Sequence, residues 1–143
     1  MTVFYDGQCG FCKLCIALLL LWDRSRCLRP LSIQDPEAQR LLAPVPEEER
    51  LLSAHVQTPT GEILSGADAA PLLLRQLPGG RPLAMLTSVS MPLARLVYRL
   101  VSNSRPALGK ILPTAWRRWA IDVITERQAQ DGSRDGDRPP PRW

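Results

Sequence analysis

Nine consecutive apolar residues, Leu14 to Trp22 ("LCIALLLLW"), limit what this chain can fold into. The run is too short to cross a bilayer, which takes about 20 residues. No basic segment precedes it and no small-residue cleavage site follows it, so it does not read as a secretory leader. Within a helix over 10–23 it is apolar on every side and predicts burial on more than one face. Such a helix needs a sheet or further helices around it, and 143 residues are enough for one domain with a core of that kind. The expected compartment is cytoplasmic, where four cysteines are poor material for a structural disulfide framework.

The flanking segments supply the layers. Residues 2–5, "TVFY", read as a strand stopped by Asp6-Gly7. Residues 28–33 read as a second strand, with Pro30 suiting an edge. A helix over 35–43 starts with Asp35 as cap and Pro36 in the first turn. "EEERLL" makes a further helical turn, and "AHVQT" and "EILS" make a hairpin around Pro59-Thr60-Gly61. A helix over 66–77 follows, capped by Ser65 or Asp68, then an apolar helical stretch over 83–101 with a start or kink at Pro92. Residues 114–128 form an amphipathic helix with Trp116, Trp119, Ala120, Val123 and Ile124 on one stripe. The order strand, helix, strand, helix, hairpin, helix predicts an α/β fold with a thioredoxin-like core and additional C-terminal helices. One domain is expected over 1–128, with a disordered tail over 129–143 that is polar and rich in Gly and Pro.

In that frame Cys9-Gly10-Phe11-Cys12 falls at the end of the first strand and the start of the first helix. Cys9 at the helix cap places Cys12 one turn on, within disulfide reach. Unpaired N–H groups and the positive helix end favour a thiolate on Cys9, and Lys13 adds a cation. A lowered thiol pKa would make Cys9 the attacking sulfur and the deeper Cys12 the resolving one. Gly10 would let a substrate backbone approach, and Phe11 would form an apolar rim. The exchange requires no metal or organic cofactor. Two other readings remain open. The cysteines could be packed free thiols, or Cys9, Cys12 and Cys15 could ligate a metal with Cys27 or His55 as fourth donor.

"YDGQCGFC" resembles the signature of the DCC family of thiol–disulfide oxidoreductases, named for Asp-x-x-Cys-x-x-Cys; here these are Asp6, Cys9 and Cys12. "GEILSGADAAPLLLRQL" is similar to that family's second segment, and "LARLVYRLVSNSR" resembles its later helix, with Tyr98 and Asn103-Ser104-Arg105 in the expected places. The resemblance covers roughly residues 2–112 and implies a thioredoxin-like fold with added helices and a redox-active dithiol. Thioredoxins carry a cis-proline just before the third strand. Here Glu49-Arg50-Leu51-Leu52 precedes that strand and Pro59 follows it.

The supporting residues each carry two readings. Asp6 can relay the proton of Cys12 or shape the loop as an Asx-turn. Ser65, Gly66 and Asp68 can cap a helix or hold a glutathione carboxylate on backbone N–H groups, as glutaredoxin-like proteins do at a comparable place. His55 alternates with apolar strand residues and reads as packed. The Trp116/Trp119 stripe reads as core, although Arg117 and Arg118 would permit contact of 114–128 with a partner or a membrane surface. A formal charge of +4 is too small to indicate a nucleic-acid partner. The expected partner is a protein or small-molecule disulfide or thiol. The rival function is an adaptor whose dithiol is vestigial.

Overall fold

The computed structural model describes residues 1–135, with side chains described as far as Gly132. Four strands form one sheet in the order β2-β1-β3-β4: β1 (Thr2–Tyr5), β2 (Arg29–Ser32), β3 (His55–Gln57) and β4 (Ile63–Ser65). β1 runs parallel to β2, with Val3 opposite Pro30, and antiparallel to β3, with Val3 opposite Val56. Pro30 lies in an edge strand, where a missing N–H is tolerated.

The pleat of β1 divides the core into two layers. Val3 and Tyr5 point to one face and meet Ile16 and Leu20 of α1 (Gly10–Trp22). Phe4 points to the other face and meets Leu31, Ile33, and Ala38 of α2 (Pro36–Leu41). Asp35 caps α2, its carboxylate accepting the Glu37 N–H at 2.8 Å. A single turn, α3 (Glu47–Arg50), leads into β3. This is a thioredoxin-like α/β arrangement.

Beyond the hairpin the details depart from expectation. Residues 66–77 split into a 3-10 turn (Gly66–Ala69) and α4 (Ala70–Gln76), and no side chain caps the turn. Ser65 instead gives its hydroxyl to His55 Nδ1 at 2.7 Å. The apolar stretch expected over 83–101 divides at Ser90 into α5 (Arg81–Val89) and α6 (Met91–Ile111). α6 turns polar side chains, Tyr98, Ser102 and Arg105, toward the rest of the protein, while Leu93, Leu96, Val97 and Leu100 are exposed.

α7 (Thr114–Asp135) continues through residues 129–135, where no regular structure was expected; residues 136–143 of the expected tail lie outside the described residues. α7 packs along α1 and puts Ala120 and Ile124 into the core. The tryptophan stripe is not core: Trp116 is 54% exposed and Trp119 37%. α1 is buried against the sheet and against α7, as expected, but not all round: Leu18 and Leu21 are exposed and face an apolar cleft with these tryptophans. A buried ion pair fastens α7 at its far end, with Arg127 Nη2 3.3 Å from Asp23 Oδ2. Asp23 also accepts the N–H groups of Cys27 and Leu28 and so closes the turn between α1 and β2. Among the described residues no helix is long and apolar enough to cross a membrane.

Candidate active site

β1 ends at Tyr5, and the loop to α1 is shaped by Asp6. Its Oδ1 accepts the Gln8 N–H at 2.9 Å, an Asx-turn, and the Gln34 side-chain amide at 2.8 Å. Gln34 in turn accepts the Gly7 N–H at 2.9 Å. Gly7 passes so close to β2 that a Cβ there would collide with the Ser32 hydroxyl. This clamp delivers Cys9 to the N-cap of α1 in extended conformation, φ −87° and ψ 115°. The Cys12 N–H then donates to Cys9 Sγ at 3.2 Å. No disulfide is present and all four cysteines are free.

One carboxylate oxygen of Asp6 and the sulfurs of Cys9 and Cys12 lie within 4.8 Å of one another. The alternative metal set of Cys9, Cys12 and Cys15 with Cys27 or His55 is not assembled among the described residues. Cys15 is outside the Asp6–Cys9–Cys12 group, Cys27 donates to Asp23 at 3.2 Å, and His55 is buried with its ring nitrogens on Ser65 Oγ and the Arg50 carbonyl. Burial, assisted by the hydrogen bond and charge of Cys9, pushes the Cys12 thiol up to about 12; Arg105 opposes this and Asp6 adds to it. Cys12 therefore rests as a thiol and needs a base before it can attack.

The two sulfurs are half-buried alike and differ in the cavity each meets. Cys9 and Gly10 line an open groove of about 580 Å³ with Leu51, Arg105, Lys110 and Arg117. Cys12 lines a smaller, apolar recess of about 130 Å³ with Phe11, Cys15 and Ala54. Asp6 and Arg105 border both. Phe11 thus stands on the Cys12 side rather than at the rim of Cys9. Lys13 lines neither cavity, and the cations beside Cys9 come from α6 and α7 instead.

Ser65, Gly66 and Asp68 are not brought to the dithiol. They line neither cavity; α6 packs against the turn at Gly66–Ala69, and Ser65 and Asp68 stay exposed. The Tyr98 ring stands 3.1 Å from where a Cβ on Gly66 would sit, and Asp68 is paired with Arg95 at 2.9 Å. Tyr98 Oη also accepts the Ala54 N–H at 2.8 Å, just before β3. No peptide bond among the described residues is cis, and the backbone facing Cys12 is Ser53-Ala54.

Gln34, Arg105 and Arg117 carry much of this geometry, and sequence reasoning gave them no role at the site. One signal was there to read: no Asp or Glu occurs between Asp68 and Asp122, while eight Lys and Arg do.

The strand-to-helix turn thus carries an Asp-x-x-Cys-x-x-Cys dithiol in a thioredoxin-like α/β fold. Comparison with protein-family models matches residues 3–110 to the DCC1-like thiol-disulfide oxidoreductase family, and the chain belongs to it. No curated protein and no solved structure matches the chain.

Proposed function

We propose that the chain exchanges its Cys9–Cys12 dithiol with substrate disulfides. The observation that carries this reading is Cys9 at the cap of α1, its sulfur accepting the Cys12 N–H at 3.2 Å and opening onto a groove. Cys9 as thiolate attacks one sulfur of the substrate, forming a mixed disulfide. The electron pair of the broken S–S bond leaves on the other substrate sulfur, which takes up a proton. Cys12 then loses its proton and attacks Cys9 Sγ. The Cys9–Cys12 disulfide forms and the second substrate thiolate departs, so the substrate gains two electrons and the protein loses them. The Asp6 carboxylate, within 4.8 Å of both sulfurs, is the group placed to take the Cys12 proton. The reverse sequence oxidises a substrate dithiol, and the direction follows the relative potentials.

The test is trapping. Cys12→Ser should accumulate mixed disulfides through Cys9, seen by non-reducing electrophoresis and intact mass. Cys9→Ser should accumulate none. Equal trapping by both variants would remove the assignment of roles, and loss of neither product nor turnover in Cys9→Ser would remove the function.

A further inference from the structure

We propose that the groove beside Cys9 binds the anionic groups of the substrate, so that the disulfides handled here are carboxylate-bearing and of about tripeptide size. The inference rests on the thiol–disulfide reading above and adds the substrate class to it.

Arg105 and Lys110 reach the groove from α6, and Arg117 from α7. Hydrogen bonds to neutral acceptors fix both guanidiniums in place. Arg105 donates to Ser102 Oγ at 2.7 Å and to the Leu52 carbonyl, and Arg117 donates to the Gly109 carbonyl. These bonds position the charges without neutralising them. The ion pairs among the described residues are Arg29–Glu37, Arg95–Asp68 and Arg127–Asp23, none of which involves the groove. Among the described residues Asp6 is the one acid on the lining, and its Oδ1 already holds the Gln8 N–H and the Gln34 amide. The Arg117 Nε is buried with no partner, 3.4 Å from where a Cβ on Gly10 would sit. A fixed guanidinium whose charge no acid neutralises, beside the nucleophile, is what a carboxylate pairs with.

The remaining lining agrees with this ligand. Gln8 and Asn103 offer amides, Leu51 and Leu52 are exposed aliphatic wall, and Gly10 makes room for the Arg117 side chain beside Cys9. About 580 Å³ lies within the usual range for small-molecule sites. The turn at Ser65, Gly66 and Asp68 lies outside this groove, with the Tyr98 ring against Gly66 and Asp68 paired with Arg95, so the carboxylate site is assigned to the groove lined by Cys9. Arg117 and the α7 that carries it fall outside the family match, which ends at residue 110, so this preference belongs to the chain and not to the matched region alone. The chemistry is the exchange already written: the carboxylates are held while the new bond to Cys9 forms, and they undergo no reaction.

The experiment uses the full reduced chain with three probes: glutathione disulfide (anionic), 2-hydroxyethyl disulfide (neutral) and cystamine (cationic). Each second-order rate constant is divided by that of the same probe with dithiothreitol, which removes intrinsic reactivity. The anionic probe should exceed the neutral one by about tenfold or more at low salt, within the range that steering by a charged cleft gives, and the cationic probe should fall below it. The advantage should shrink as salt is raised. Lys110→Gln, at an exposed position, and Arg117→Gln should each lower the anionic-to-neutral ratio, and Arg117→Lys should restore part of it. Equal normalised rates for the three probes at every salt concentration would overturn the inference and leave the exchange function standing. No reaction with any probe would overturn both.

Discussion

The backbone N–H of Cys12 donates to the sulfur of Cys9 at 3.2 Å, so the two cysteines of the pair stand in different surroundings. Cys9 is the acceptor sulfur at the open groove. Cys12 supplies the N–H and keeps its own proton in a small apolar recess.

The raised Cys12 thiol gives a signature in stability. A thiol held above its ordinary value of 9.0, to about 12, stays protonated in the folded protein while the unfolded chain ionises. The unfolded state then binds fewer protons, so stability is fully present below about pH 9 and declines as pH rises toward 12. Urea midpoints of the reduced protein should fall between pH 8 and pH 10.5, and Cys12→Ser should show a smaller fall. Parallel curves would contradict the assignment.

Asp6 has a structural duty and a chemical one, and Asp6→Asn separates them. Asparagine keeps the oxygen that accepts the Gln8 N–H and so keeps the Asx-turn. Resolution of the mixed disulfide should nevertheless slow by about 10²-fold near pH 7, a typical loss for a general base. The rate should recover at higher pH, where hydroxide takes over. Rapid-mix alkylation of the intermediate measures this step. Gln34→Ala, which frees the loop but leaves the carboxylate, should slow resolution less and show no recovery with pH.

His55 should act on stability alone. Its Nδ1 accepts from Ser65 and its Nε2–H donates to the Arg50 carbonyl at 3.0 Å, which needs the neutral ring. Burial holds its pKa below 6.5. Below that pH the unfolded state takes up the proton that the folded one resists, so stability drops as pH falls from about 6.5. His55→Ala should cost about 2 kcal/mol by leaving buried partners unmet and should flatten this acid slope. Chemical denaturation at pH 7 and pH 5 checks both.

Arg127 and Asp23 bind α7 to the rest of the protein. Arg127→Met should lower stability by about 3 kcal/mol, because it leaves a carboxylate that is 1% exposed without its cation. Combining it with Asp23→Asn should cost less than the sum of the two single changes, since the double variant leaves no lone charge. Strict additivity in urea unfolding would show that the pair is not coupled. Because α7 also carries Arg117, the single change should weaken any charge preference at the groove as well.

Short-range geometry made the dithiol legible. The strand "TVFY", the Asp6-Gly7 turn and a helix start two residues beyond fix the spacing of Cys9 and Cys12 whatever packs around them. Periodicity also found helical stretches at 83–101 and 114–128, but a helical pattern states only which faces differ. It does not state which face meets the protein. In α6 the polar face turned inward, where Tyr98 holds the Ala54 N–H and Arg105 reaches the dithiol, and the apolar stripe stayed outside. In α7 the tryptophans stayed at the surface, while Arg127, a residue that composition alone would place in solvent, was buried against Asp23. The sequence by itself determined the placement of Cys9 and Cys12, because that depends on residues within one turn of helix. The burial and charge around them depend on contacts between residues far apart in the chain, and those were decided only when α6 and α7 docked.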